Sequence, residues 1–174
     1  KTHANLIDAA ASGASEGLNL ALNVGAMLLA FIALIAMLNG MLGEIGSWVG
    51  FPQLSFELII GYLFAPFAFL MGIPWSDCLQ VGVMLGKKVV VNEFVAYLDL
   101  QKAIGDASIS ERAVTITTYA LCGFANFSSI AIQLGGIGGI APTRRQDLAK
   151  LGIKSLIGGT LACFMTACIA GVLL

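Results

Sequence analysis

Charged side chains are scarce in this 174-residue sequence, and four long stretches contain none. Charged residues make up 11% of the chain and hydrophobic residues 58%, whereas soluble domains average about 25% charged residues. Uncharged stretches of about 18 residues or more are typical of membrane-crossing helices, which excludes a soluble globular domain and a disordered chain. The uncharged stretches are 17–43, 58–76, 113–143 and 155–174.

Basic side chains are also too few to form a surface for nucleic acid. The sequence has 9 lysines and arginines against 10 acidic residues, which gives a net charge of -1. Proteins that bind nucleic acid usually carry a basic patch or stripe. We therefore expect no nucleic-acid partner.

Residues with catalytic or metal-binding chemistry do not occur in the combinations that enzymes need. His3 is the only histidine, so neither a Ser-His-Asp set nor a Cys-His set can be assembled. The cysteines form no CxxC pair, and we expect them to pack as small apolar residues. The sequence thus predicts no enzyme, no cofactor and no metal site.

The first part of the chain divides into three predicted segments. Residues 1–16 are small and polar and predict a short interfacial helix. Residues 17–43 predict one long transmembrane helix, which has to tilt because it is longer than a hydrocarbon core of about 30 Å. Residues 44–76 predict an apolar interfacial segment that Gly61 and Pro66 interrupt. This segment either crosses the membrane or lies along it, and the charge distribution favours the second placement.

Residues 77–105 predict a re-entrant hairpin. A single span would bury Lys87, Lys88 and Glu93 near its middle, at a cost of about 2.5–3.5 kcal/mol or more for each charge. In a hairpin, Asn92 caps the second half-helix and Glu93 lies in its first turn, where the helix dipole favours a carboxylate. An intramembrane carboxylate indicates a functional site, and the alternative is an ion pair between Glu93 and one of the two lysines.

Residues 109–141 predict a transmembrane helix, which Ser108 and Glu111 introduce as a capping box. Polar side chains at steps of three and four share one face of this helix. Asn126 and Ser129 lie near its middle, where they either bond neighbouring helices or contribute to a binding site. The polar face consists of Thr115, Tyr119, Cys122, Asn126, Ser129 and Gln133.

Residues 143–174 predict the last transmembrane helix, and its first part sets the orientation of the chain. The stretch 143–154 contains four of the nine basic residues. Basic residues concentrate on the cytoplasmic side of membrane proteins. We therefore place 143–154 in the cytoplasm and the C-terminus outside.

Two stretches resemble signatures of the concentrative nucleoside transporters. Residues 86–96, GKKVVVNEFVA, resemble the G-x-K-x-x-x-N-E-F-V-A signature of that family. Residues 120–130, ALCGFANFSSI, look like the family's second C-terminal signature. Both signatures are long and specific and occur in the expected order, and the resemblance covers essentially the whole chain.

This resemblance implies an all-α integral membrane protein that is the second half of an inverted-repeat transporter. Its parts would be a tilted scaffold helix over 17–43, interfacial helices, the re-entrant hairpin, a broken transmembrane helix and a final transmembrane helix. The implied function is trimeric, secondary active symport of nucleosides with Na⁺ or H⁺. Glu93, Asn126 and Ser129 would bind ribose hydroxyls, and Phe124 would pack against the nucleoside.

The resemblance also implies that an N-terminal half of the same transporter is missing. The sequence begins at Lys1 without a methionine, and we expect it to be part of a longer protein. The missing half would contact the base and hold most of the Na⁺ site, so no metal site is expected in this half. The implied location is a bacterial inner membrane, crossed several times. A channel subunit and a structural membrane subunit are the alternative functions.

Overall fold

A computed structural model describes residues 5–174, except for the side chains at 23, 24, 27, 28, 31, 139 and 140. His3 and the first four residues of the predicted interfacial helix therefore lie outside the described residues. The described part is helical and contains no strand. Its helices are α1 (Leu6–Trp48), α2 (Phe56–Leu70), α3 (Trp75–Val90), α4 (Glu93–Gly105), α5 (Glu111–Leu121), α6 (Phe127–Ile140) and α7 (Arg145–Leu173), with a 3₁₀ turn at Pro142–Arg144.

Helix α1 is one continuous helix, although the sequence predicted two segments. The side chain of Asn5 caps it by accepting a 2.8 Å hydrogen bond from the N–H of Asp8. The helix passes through Gly17 and ends at Trp48, so the predicted boundary after residue 16 and the predicted end at residue 43 are wrong. The segment contains no proline, and a glycine costs only about 1 kcal/mol inside a helix. The 43 residues of α1 reach about 65 Å.

Helix α2 passes through both residues at which the sequence predicted an interruption. Gly61 and Pro66 lie inside it. Gly61 is needed for close packing on α3, because a Cβ atom there would lie 2.7 Å from Cγ2 and 2.9 Å from Cα of Val83. The 15 residues of α2 reach about 22 Å, which is less than a hydrocarbon core. Its placement along an interface remains a prediction.

Helices α3 and α4 form a hairpin with a two-residue turn, at the position predicted for the hairpin tip. Asn92 caps α4 as predicted, since its Oδ1 accepts a 2.9 Å hydrogen bond from the N–H of Val95. An ion pair of 2.5 Å between Lys87 Nζ and Asp99 Oδ2 joins the two arms. The depth of this hairpin in a membrane remains a prediction.

A break at residues 122–126 separates α5 from α6. The segment predicted at 109–141 therefore consists of two helices, as the resemblance implied. The polar side chains from Thr115 to Gln133 do not share one face, because the break interrupts the helical repeat on which that prediction depended.

Helix α5 begins two residues later than the predicted capping box requires. Its cap is Ser110, whose Oγ accepts a 3.2 Å hydrogen bond from the N–H of Ala113. The hydroxyl of Ser108 instead accepts a 2.8 Å hydrogen bond from Nε2 of Gln80, in the hairpin. The predicted role of Ser108 as the cap is therefore wrong, because its side chain is used in a contact between distant residues.

Helix α7 and the 3₁₀ turn before it form the helix predicted at 143–174. Among the described residues, one helix, Pro142–Leu173, is long and apolar enough to cross a membrane. It packs on α5, and the hairpin packs on α2 and α5. Leu85 of α3 and Ile116 and Leu121 of α5 are completely buried in the resulting core. This packing holds the hairpin beside the broken helix.

Candidate functional site

Asn126 ends the helix break by capping α6. Its Oδ1 accepts a 2.7 Å hydrogen bond from the N–H of Ser129. The N–H of Asn126 lies 3.4 Å from Oγ of Ser129, which is the return bond of a capping box. The Ser129 hydroxyl also lies 2.6 Å from the carbonyl oxygen of Asn126, to which it donates. These bonds fix the orientation of both side chains at the start of α6.

Glu93 at the hairpin tip is hydrogen-bonded to the same asparagine. Nδ2 of Asn126 donates a 2.8 Å hydrogen bond to Oε2 of Glu93. The hydroxyl of Ser128 lies 2.7 Å from Oδ1 of Asn126 and 3.1 Å from the carbonyl oxygen of Val91, either of which accepts its proton. The hairpin tip and the start of α6 therefore form one hydrogen-bonded cluster.

The members of this cluster differ in how much bonding capacity remains. Asn126 is completely buried and Ser129 is 4% exposed, and both are bonded within the cluster. Glu93 is half-buried. Among the described residues, Oε2 of Glu93 has a hydrogen-bond donor and Oε1 has none. Since a carboxylate accepts several hydrogen bonds, Glu93 keeps the capacity to accept further bonds from a ligand.

Phe124 lies in the break and belongs to a neighbouring cavity. This cavity has a volume of about 420 Å³, and residues of the break, α6 and α7 line it, including Phe124 and Ser129. The Phe124 side chain is 53% exposed. Glu93 and Asn126 do not line this cavity. Of the four predicted site residues, three therefore form the polar cluster, and Phe124 is related to them through Ser129.

The alternative role of Glu93 as the partner of a lysine is wrong. Lys87 pairs with Asp99 of the opposite arm. Nζ of Lys88 donates a 2.9 Å hydrogen bond to the carbonyl oxygen of Ala120, near the end of α5. Within residues 5–174, Glu93 takes part in no ion pair with either lysine. The carboxylate is instead held by the side-chain amide of Asn126.

Two residues of this region were not predicted as functional. Ser128 joins α6 to the hairpin tip. Its only sign in the sequence is its place between Asn126 and Ser129, inside the second signature. Lys88 contacts the end of α5, and nothing in the sequence distinguishes it from Lys87, because only the three-dimensional packing separates the two ammonium groups.

The cluster is suited to binding rather than to catalysis. In the described part of the chain, no group of three or more His, Cys, Asp or Glu residues could hold a metal ion. A carboxylate accepts hydrogen bonds from hydroxyl groups, and such charge-assisted bonds are roughly twice as strong as neutral ones. The geometry therefore fits a ligand that presents hydroxyl groups to Glu93.

Comparisons with known proteins agree with the two sequence signatures. Residues 1–171 match the family model described as Na⁺ dependent nucleoside transporter C-terminus. An uncharacterized transporter of Bacillus subtilis, YutK, is 56% identical over 168 residues, which are 97% of this chain and 41% of that protein. The chain is also similar to solved structures of the protein CNTnw.

Two of these structures represent different states of CNTnw. The chain matches an outward-facing variant with a TM-score of 0.88 and 47% identity, over 99% of this chain and 44% of the other. It matches the inward-facing, substrate-bound state with a TM-score of 0.77 and 48% identity, over 98% of this chain and 42% of the other. The helices are therefore arranged more like the outward-facing structure.

The matched family consists of membrane transporters and not of enzymes. The chain spans about two fifths of the length of YutK and CNTnw. Its all-helical fold agrees with the solved transporter structures over almost its whole length. The family model covers nearly every residue, so the chain belongs to the family of Na⁺ dependent nucleoside transporters, of which it matches the C-terminal part.

Proposed function

We propose that the protein containing this chain is a secondary active symporter of nucleosides, and that this chain supplies the part of the site that binds ribose. The observation that carries the proposal is the hydrogen bond between Glu93 and Asn126, which joins the hairpin tip to the helix break. Transporter sites are commonly built where discontinuous helices meet at the membrane midplane. The coupling ion is Na⁺, with H⁺ as the alternative.

Glu93 is the principal ribose ligand in this proposal. Its Oε2 is engaged by Asn126, while its Oε1 has no donor among the described residues. Two vicinal hydroxyl groups of ribose can donate to one carboxylate. A ligand that lacks these hydroxyls leaves the carboxylate desolvated and unpaired, which costs more than the bond itself contributes.

Asn126 and Ser129 have a different role from Glu93 in this state of the protein. Both are buried, and their hydrogen-bonding atoms are used within the cluster. They orient Glu93, and their direct contact with ribose requires a rearrangement at the start of α6. Phe124 is exposed on the neighbouring cavity, where its ring is placed to pack against a nucleoside.

Alternating access is the proposed mechanism, with α1 as the scaffold and the hairpin and broken helix as the moving part. The unequal similarity to outward-facing and inward-facing structures supports it, because elements within this part of the fold change position between those states. Helix α1 exposes large apolar side chains such as Leu29, Leu34 and Met37. These side chains are suited to contact lipid and the other copies of a homotrimer.

The proposed location is a bacterial inner membrane, with 143–154 in the cytoplasm and the C-terminus outside. The missing N-terminal half of the transporter completes the nucleoside site and contains most of the cation site. A pore subunit and a structural subunit are the competing functions. Neither requires the carboxylate of Glu93 to remain accessible to a hydroxyl-bearing ligand.

Uptake into proteoliposomes tests the proposal. The full-length transporter is reconstituted, and radiolabelled uridine or adenosine is supplied with an inward Na⁺ gradient, and separately with an inward H⁺ gradient. We expect one nucleoside to accumulate above its external concentration, and an ionophore that removes the gradient to abolish this accumulation. Equilibration without accumulation would indicate a pore, and the absence of both uptake and binding would indicate a structural subunit.

A further inference from the structure

Lys88 is the largest completely buried side chain in the described part of the chain. It lies in the last turn of α3, and its ammonium group donates a 2.9 Å hydrogen bond to the carbonyl oxygen of Ala120. Burial of an ammonium group is costly unless the group is paired. Because the burial is complete within this chain, it does not depend on the rest of the transporter.

The partner of Lys88 is an atom that the helix break leaves without its usual donor. In a continuous helix, the carbonyl oxygen of Ala120 would accept a bond from the N–H of Phe124. Helix α5 ends at Leu121, before that residue. The ammonium group of Lys88 takes the place of the missing N–H, and its charge faces the negative end of the α5 dipole.

Helix α7 contacts the break from its other side. The thiol of Cys163 donates a 3.5 Å hydrogen bond to the carbonyl oxygen of Cys122. A Cβ atom at Gly123 would collide with Sγ of Cys163 and would lie 4.0 Å from Nζ of Lys88. The break therefore passes between Lys88 and α7, with room for a glycine only.

We propose that Lys88 is a positioning residue, which keeps the helix broken at 122–126 and thereby orients Phe124 and Asn126 for the nucleoside. This inference rests on the proposed function for its substrate. The hairpin thus holds both ends of the break, through Lys88 at the end of α5 and through Glu93 at the start of α6. Without Lys88, the N–H of Phe124 is free to bond to Ala120, and the helix extends into the site.

Lys87 provides a matched control on the same helix. Its side chain is 33% exposed and pairs with Asp99, away from the break. Lys88→Met and Lys87→Met remove the same charge from adjacent residues. Lys88→Arg retains a donor and the charge, and Lys88→Gln shortens the side chain so that it does not reach Ala120.

Two measurements on the purified full-length transporter test the proposal. Calorimetric titration gives the Kd for uridine and adenosine, and hydrogen exchange of the ligand-free protein gives the protection of residues 119–127. We expect Lys88→Met to raise the Kd by about tenfold or more, which is the effect of losing about 1.4 kcal/mol of binding. It should also change exchange at 119–127 without changing exchange in the rest of α5 and in α7. Lys87→Met should change neither quantity, and Lys88→Arg should restore most of the affinity.

Several results would overturn this role. Wild-type Kd and exchange in Lys88→Met would do so, and so would a change in exchange spread over α5 and α7, which indicates a general loss of stability. If Lys88→Met does not fold, wild-type affinity and exchange in Lys88→Gln would contradict the proposal. A wild-type protein that binds no nucleoside, combined with altered exchange confined to 119–127 in Lys88→Met, would refute the proposed substrate and leave the positioning role standing.

Discussion

The side-chain amide of Asn126 donates a 2.8 Å hydrogen bond to the carboxylate of Glu93. This bond connects two structural irregularities, the tip of the hairpin and the break in the last-but-one membrane helix. Each residue also lies at the start of a helix, Glu93 in the first turn of α4 and Asn126 at the cap of α6. The positive ends of two helix dipoles therefore meet at one carboxylate, which favours its charged form.

Replacement of Glu93 by glutamine should weaken nucleoside binding by about tenfold or more, because a charge-assisted bond contributes about 1.5–3 kcal/mol. The measurement is the Kd for uridine and adenosine with purified full-length transporter. Glu111→Gln is the matched control, since Glu111 is exposed in the first turn of α5. The site assignment is wrong if both variants bind as the wild type does.

Removal of the Ser128 hydroxyl should loosen the contact between α6 and the hairpin tip. Ser128→Ala deletes the donor that faces Asn126 Oδ1 and the carbonyl of Val91. A buried acceptor without its partner costs about 1–3 kcal/mol, so the thermal midpoint should fall and the affinity for nucleoside should fall with it. Ser47→Ala, at the exposed end of α1, should alter neither. A wild-type midpoint and Kd in Ser128→Ala would show that this hydroxyl does not support the site.

The close crossing of α2 and α3 should not tolerate a side chain at Gly61. A Cβ atom there would lie 2.9 Å from Cα and 3.0 Å from the backbone nitrogen of Val83, so the helices have to separate. Such overpacking costs about 1–3 kcal/mol, and Gly61→Ala should lower the thermal midpoint. Gly40→Ala, where nothing lies within 4 Å, should leave the midpoint unchanged or raise it. Equal midpoints in both variants would contradict the observed packing.

Arg112 should contribute strongly to stability, because it joins three parts of the fold. From the first turn of α5, it donates to the carbonyl oxygens of Gly72 at 2.8 Å and Gly171 at 2.5 Å. Loss of a bond to a charged group costs about 1.5–3 kcal/mol, so Arg112→Met should unfold at a clearly lower temperature. The exposed pair of Arg144 and Asp147 contributes at most about 1 kcal/mol. If Arg144→Met is as destabilised as Arg112→Met, the connecting role of Arg112 is wrong.

The parts of the fold that could be predicted from the sequence depend on local chemistry. The hairpin and its cap at Asn92 follow from the cost of buried charge and from the capping preference of asparagine, both of which act over a few residues. The single helix from 6 to 48 was missed because small and polar residues near its start indicated an interface. The absence of proline was the better guide to its length.

The parts that could not be predicted depend on contacts between distant residues. Ser108 has the spacing of a cap, but its hydroxyl bonds to Gln80 of the hairpin. The identical chemistry of Lys87 and Lys88 conceals their different partners, Asp99 for one and the carbonyl of Ala120 for the other. The hydrogen bond between Glu93 and Asn126 belongs to the same class, because it joins residues 33 positions apart.

Recognition of ribose hydroxyls by Glu93 is the central claim, and a comparison of two ligands with two proteins tests it most directly. The measurement is the Kd of uridine and of 2′,3′-dideoxyuridine, for the full-length wild type and for Glu93→Gln; adenosine and its dideoxy analogue are used if the transporter prefers purines. We expect the wild type to bind the dideoxy analogue at least about tenfold more weakly, and Glu93→Gln to lose most of that difference. An undiminished preference for the hydroxylated nucleoside in Glu93→Gln would contradict the account.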